Sequence, residues 1–226
     1  MDKTSKIIIC FLFLFFAYSI SHAQQHLPYY DEIQHFKKLD SVHFPPKNAV
    51  LFVGSSSIRK WEDVQSYFPN ETVINRGFGG SELTDAVRYA NDIIIPYQPR
   101  EIVIYSGEND LAYADSVTPE VVLRRFETLF NIIRSAMVGV PVIYVSIKPS
   151  PSRERLMPEM EVANKLIKQF LKSKSKTVFV DVYHKMLDKS GKPMPDIFLS
   201  DNLHMNAKGY HIWQKAIAPY LEKFKN

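Results

Sequence analysis

Gly54-Ser55-Ser56-Ser57 follows a short apolar run, and much later in the chain Asp201 and His204 stand three residues apart. A serine hydroxyl attacks an acyl carbon only where a base takes its proton and donors hold the oxyanion. An imidazole held at Nδ1 by a carboxylate leaves Nε2 free for that proton, so Asp201 and His204 suit a nucleophile at Ser56. The Asp-x-x-His spacing is weak alone, since Asp181 and His184 repeat it. Helix capping by Ser56 or Ser57, with no catalysis, explains the serine run equally simply. The lipase-type elbow Gly-x-Ser-x-Gly is absent because Ile58 occupies the place of its second glycine. Of the other histidines, His211 falls within a helical pattern and His26, His35 and His43 lie in a polar lead-in.

Donors for an oxyanion are available at the backbone N–H of Ser56, the backbone N–H of Gly80 and the side-chain amide of Asn109. Glycine lets a loop bring its backbone close to a reacting carbonyl. The alternatives are a strand-to-helix turn with positive φ at Gly77, Gly79 and Gly80, and an Asx turn at Asn109. Arg59, Trp61, Glu108 and the segment Lys148 to Arg153 are candidate pocket walls, a solvated loop being the alternative for the last.

The elements around these residues alternate. Ala49–Val53, Thr72–Ile74, Glu101–Tyr105, Val140–Ile147 and Thr177–Val180 read as strands. Tyr30–Lys38, Ile58–Tyr67, Leu83–Asn91, Pro119–Met137, Pro158–Lys172 and Asn206–Phe224 read as helices. Such alternation predicts an α/β fold, a three-layer α/β/α sandwich around a flavodoxin-like five-stranded parallel sheet. The Ser56, Gly80 and Asn109 segments then follow the first three strands, and carboxyl ends of strands converge on the ligand crevice. Asp201 and His204 precede the last helix and reach the same rim.

Lys3 and Lys6 precede an apolar run from Ile7 to Ala17, and Ser21-His22-Ala23 offers small residues to a signal peptidase. This reads as a signal peptide over 1–23, cut after Ala23, with export to the periplasm or beyond and no membrane span afterwards. A lead-in covers 24–47 and a single domain 48–226. Cys10, the single cysteine, lies inside the apolar run, so the mature chain has no disulfide or cysteine ligand. The net charge of +4 is scattered, which gives no nucleic-acid surface.

Taken together, these blocks resemble the SGNH hydrolases, or GDSL esterases, and most closely the branch with the platelet-activating-factor acetylhydrolase catalytic subunits. Gly54-Ser55-Ser56 is similar to the family's Gly-Asp-Ser, placing its nucleophile on Ser56, with Ser55 in place of an Asp outside the triad. The block-two glycine falls on Gly80, the block-three asparagine on Asn109, and the Asp-x-x-His on Asp201 and His204. The resemblance implies ester hydrolysis through an acyl-enzyme, with no metal or organic cofactor. Short acyl groups, such as acetyl on carbohydrate, are the expected substrates, and a lysophospholipase or lipase is the alternative. Two non-enzymatic readings stay open: a flavodoxin-like module holding FMN or a sugar phosphate, and an inactive relative that binds carbohydrate.

Overall fold

The computed structural model describes residues 27–224. The expected signal peptide therefore lies outside the described residues. The chain divides at Tyr30, and the second unit, Asp31–Asn226, carries the sheet and the candidate site.

Five strands run parallel in the order β2-β1-β3-β4-β5: β1 is Val50–Gly54, β2 Val73–Gly77, β3 Glu101–Tyr105, β4 Val142–Val145 and β5 Thr177–Val180. Alternate side chains enter two cores. Val50, Phe52, Val103, Tyr105, Ile143, Val145, Val178 and Val180 share one with Trp61, Trp213 and Ile217. On the opposite face Tyr144 meets Phe126, with ring centroids 4.7 Å apart. Helices therefore cover both faces, which is why the central strands read as continuous apolar runs rather than alternating ones. On this second face lie α7 (Pro119–Ala136) and α8 (Met157–Lys172), and on the first α9 (Ala207–Lys223).

The expected helix over Ile58–Tyr67 is two single turns, α2 (Ser56–Arg59) and α3 (Val64–Tyr67). The carbonyls of Ile58 and Trp61 accept tight i+3 bonds from Trp61 and Val64 N–H, and Asn75 Nδ2 donates to both at 2.8 and 3.1 Å, holding the break between the two turns. The break drops Trp61 into the core, stacked on Tyr210 at 4.9 Å. Full burial of such a ring contributes roughly 1.5–3 kcal/mol or more, ahead of any gain from one more helical turn. Trp61 is thus a core residue and not a pocket wall.

The second strand extends three residues beyond Ile74, taking in Asn75, Arg76 and Gly77. Arg76 belongs there because its guanidinium is neutralised: Nη2 meets Asp40 Oδ1 at 2.5 Å, Nε donates to the Tyr97 hydroxyl at 2.6 Å, and the group lies over the Phe36 ring. Asp40 and Phe36 come from α1 (Tyr30–Val42), which runs a turn longer than expected. The Leu83–Asn91 helix divides into α4 (Leu83–Arg88) and α5 (Ala90–Ile93) where Tyr89 leaves helical geometry at φ −101°, ψ 10°. The fourth strand stops at Val145, and 146–150 continue as buried, irregular chain.

Candidate active site

The order 2-1-3-4-5 reverses between β1 and β3, so the loops after those two strands flank the crevice at which open α/β sheets bind ligands. Ser56 follows β1 as the first residue of α2. Gly54 makes this tight exit possible: its φ is +156°, and a Cβ there would lie 2.0 Å from the Tyr105 carbonyl oxygen. The Tyr210 hydroxyl donates to the Ser57 carbonyl at 2.9 Å and so ties α9 to the serine turn.

The loop before α9 is held from both ends. Leu199 N–H donates to the His204 carbonyl at 2.7 Å, and Phe198 bridges Met205 in antiparallel fashion. Asn206 caps α9, its Oδ1 accepting from Lys208 N–H at 2.9 Å. Within this turn Asp201 Oδ1 accepts the N–H groups of Leu203 and His204 at 3.0 and 2.9 Å, while Oδ2 lies 2.6 Å from His204 Nδ1. Burial works against the Asp201 charge, but the His204 ring and the two backbone donors outweigh it and hold the carboxyl well below its usual range. Because an ionised carboxylate only accepts, Nδ1 carries the proton and Nε2 of the neutral ring accepts. Ser56 Oγ is 2.9 Å from Nε2, across 148 positions of sequence. The structure thus joins Ser56, His204 and Asp201 in one hydrogen-bonded chain.

The other predicted donors lie close by. Asn109 is in the first turn of α6 (Glu108–Tyr113), an element the sequence reading lacks. A Cβ built on Gly80 would be 3.8 Å from Asn109 Nδ2. The N–H groups of Ser56 and Gly80 have no acceptor among the described residues. Of the three loop glycines only Gly79 has positive φ, at 40°, so Gly80 is not needed for the turn. Asn109 makes no Asx turn: its Oδ1 accepts from Arg153 Nη2 at 2.9 Å and its Nδ2 donates to the Ser81 carbonyl at 3.1 Å.

The segment Lys148 to Arg153 is a solvated loop only in its second half, being buried over 148–150 and exposed at Ser152. Lys148 is fully buried, and Glu108, expected as a pocket wall, lies inside with it, 3.1 Å from its Nζ. Arg59 is exposed, with Nη1 3.3 Å from Glu32 Oε2. That carboxylate also accepts Gly79 N–H at 3.0 Å, so α1 braces the second loop. Glu32 and Tyr210 escape a sequence reading because each acts through long-range hydrogen bonds that no local pattern announces.

The family model described as GDSL-like lipase/acylhydrolase matches residues 53–212, well over half of the chain. No curated protein sequence matches. Among solved structures, a protein from Streptococcus pneumonia named for platelet activating factor aligns at 21% identity and TM-score 0.73, over 84% of this chain and 92% of its own. A GDSL-like lipase from Bacteroides thetaiotaomicron aligns at 20% identity and TM-score 0.71, over 84% and 97%. A catalytic mutant of an acetylxylan esterase from Geobacillus stearothermophilus aligns at 15% identity and TM-score 0.61, over 78% and 95%. At such identities the likeness to these structures shows the fold. With the matched family model it leads to one statement: the chain belongs to the GDSL-like lipase/acylhydrolase (SGNH) family of carboxylic ester hydrolases.

Proposed function

We propose that the protein is a serine esterase acting on short-chain esters, acetyl groups on carbohydrate foremost, with Ser56 as nucleophile, His204 as base and Asp201 orienting His204. The observation that carries this reading is the 2.9 Å contact between Ser56 Oγ and His204 Nε2, made while Nδ1 is held by Asp201. Ser56 Oγ attacks the ester carbonyl and its proton passes to His204 Nε2. The oxyanion is met by the N–H groups of Ser56 and Gly80 and by the Asn109 amide. His204 then protonates the departing alcohol oxygen as the C–O bond breaks. Water, deprotonated by His204, hydrolyses the acyl-serine and restores Ser56.

Support for acetyl carbohydrate comes from the acetylxylan esterase among the similar folds and from the open setting of the site, where Asp201 is exposed and Ser56 half-buried. A phosphate- or FMN-binding module would have no use for the Ser56–His204–Asp201 chain. The test is a p-nitrophenyl ester series of rising acyl length, run beside acetylated xylan. Turnover should be highest at acetyl and vanish in Ser56→Ala; preference for long acyl chains would replace this reading with the lipase one. Export, with cleavage after Ala23, is part of the proposal and rests on the charged and apolar N-terminal pattern. The N-terminal sequence of protein recovered outside the cytoplasm tests it.

A further inference from the structure

Asn109 has two faces of nearly equal shape and opposite polarity, so its amide helps an oxyanion only if Nδ2 is the end presented. Two partners fix that choice. The guanidinium of Arg153, which can only donate, sits 2.9 Å from Oδ1, and the Ser81 carbonyl, which can only accept, sits 3.1 Å from Nδ2. Nδ2 has two N–H groups and, among the described residues, one acceptor, and a Cβ built on Gly80 would lie 3.8 Å from this nitrogen. Arg153 is itself held: Nη1 is 3.2 Å from Glu108 Oε1, and the backbone leaves helical geometry at this residue, with φ −122° and ψ 26°.

Glu108 also binds Lys148 Nζ at 3.1 Å and accepts from the Tyr105 hydroxyl. Lys148 Nζ donates in turn to the Leu203 carbonyl at 2.8 Å, inside the turn between Asp201 and His204. One residue before Arg153, Ser152 N–H donates to the Asn202 carbonyl of that turn at 3.1 Å. A single buried carboxylate thus ties the loop of the base to the loop of the oxyanion donor. Burial opposes its charge, but the two cations and the tyrosine hydroxyl more than offset this.

We propose that Arg153, anchored by Glu108 and Lys148, is a positioning residue that sets the Asn109 amide with Nδ2 toward the oxyanion. The assignment rests on the esterase reading above. It also gives the charge on Arg153 a use, since a donor on Oδ1 polarises the amide and strengthens the hydrogen bond its N–H makes.

A double-mutant cycle in the full-length protein tests it, with kcat and KM on p-nitrophenyl acetate and melting temperature for every variant. Arg153→Ala should lower kcat by about 10- to 100-fold with KM nearly unchanged, somewhat less than loss of the donor itself. In an Asn109→Ala background the same change should cost less than about 3-fold more, because a residue acting through Asn109 has nothing left to position. Arg153→Lys keeps the charge but cannot hold Glu108 and Asn109 together, so it should fall between wild type and Arg153→Ala. It also answers the question if Arg153→Ala does not fold. Equal losses from Arg153→Ala in both backgrounds, or a loss lying wholly in KM, would overturn the assignment. Activity surviving in Ser56→Ala would instead sink the esterase reading, so the two failures are distinguishable.

Discussion

His184 Nδ1 lies 2.7 Å from Asp181 Oδ2, and its backbone N–H donates to Oδ1 at 3.2 Å, the same clasp that joins His204 to Asp201. The two pairs differ in what meets Nε2. His204 reaches Ser56, and its side chain is 15% exposed, whereas that of His184 is 72% exposed and borders a cavity lined by Glu161, Lys165 and Lys168. Among the described residues no serine hydroxyl pairs with His184. Asp201→Asn should therefore cost kcat on the order of 10⁴-fold, by giving His204 the wrong tautomer, and Asp181→Asn should leave it nearly unchanged. Steady-state kinetics of the two variants, side by side, check this, and the reverse ranking would move the site to Asp181 and His184.

Among the three serines only Ser56 meets the imidazole. Ser55 and Ser57 are buried, Ser55 preceding α2 with extended backbone and its N–H directed to the Tyr105 carbonyl at 3.3 Å. Ser56→Ala should abolish ester hydrolysis in a protein that melts normally, while Ser55→Ala and Ser57→Ala keep most of it. A mass shift equal to one phosphonyl group after treatment with a fluorophosphonate should appear in every variant except Ser56→Ala.

The contrast between the two clasps shows how far the sequence can be read. Asp-x-x-His dictates a local geometry, and both copies adopt it. Which copy finds a serine depends on the strand order that carries Ser56 to the His204 rim; the alternating pattern made readable the parallel sheet and the place of Ser56 at a strand's carboxyl end. Lost from view were features set by a single distant partner. Asn75 holds the break in the helix after Ser56 by donating to the carbonyls of Ile58 and Trp61, and Asp40 lets Arg76 continue a strand that local polarity would end. Lys148 reads as solvated because a lysine ordinarily is; its burial follows from Glu108, forty residues away.

The Asp40–Arg76 pair predicts that α1 is needed for stability. Both side chains are 11% exposed, and the Tyr97 hydroxyl joins them, raised to about 12 by burial and by the Asp40 carboxylate despite the opposing pull of Arg76. Asp40→Ala leaves a cation in a low-dielectric site with one polar side-chain partner fewer. The cost should be about 3–5 kcal/mol, seen as a fall in melting temperature on the order of 10 °C. An unchanged melting temperature would mean that the Asp40–Arg76 pair adds nothing to the stability of the domain.

Acid should act through Glu108. Its carboxyl titrates below the ordinary value of 4.5, because Lys148 and Arg153 outweigh the effect of burial. Below that value the unfolded chain binds the proton more readily than the folded one, so stability is full above this range and falls as the pH drops through it. Glu108→Gln should melt lower than wild type at neutral pH, yet lose less on going from about pH 5 to 3. Melting curves across that range decide the point; parallel curves for the two proteins would remove Glu108 as a source of acid sensitivity.

Asn109 gives the most discriminating measurement, because its two ends do different work. Asn109→Ala removes both the donor at Nδ2 and the acceptor for Arg153, and should lower kcat by roughly 10²–10³-fold with KM nearly unchanged if the donor meets charge that develops only in the transition state. Asn109→Asp separates the ends. A carboxylate still accepts from Arg153, and the firmer ion pair should outweigh the lost Nδ2 bond to the Ser81 carbonyl, so melting should stay nearer to wild type than for the alanine variant, which loses both. The same carboxylate offers no N–H and sets a negative charge where the oxyanion forms, so its kcat should fall below that of Asn109→Ala. Stability and turnover should therefore rank the two variants in opposite orders. Should Asn109→Asp be both the more stable and the more active at neutral pH, the residue serves to hold Arg153, and the oxyanion rests on the backbone of Ser56 and Gly80 alone.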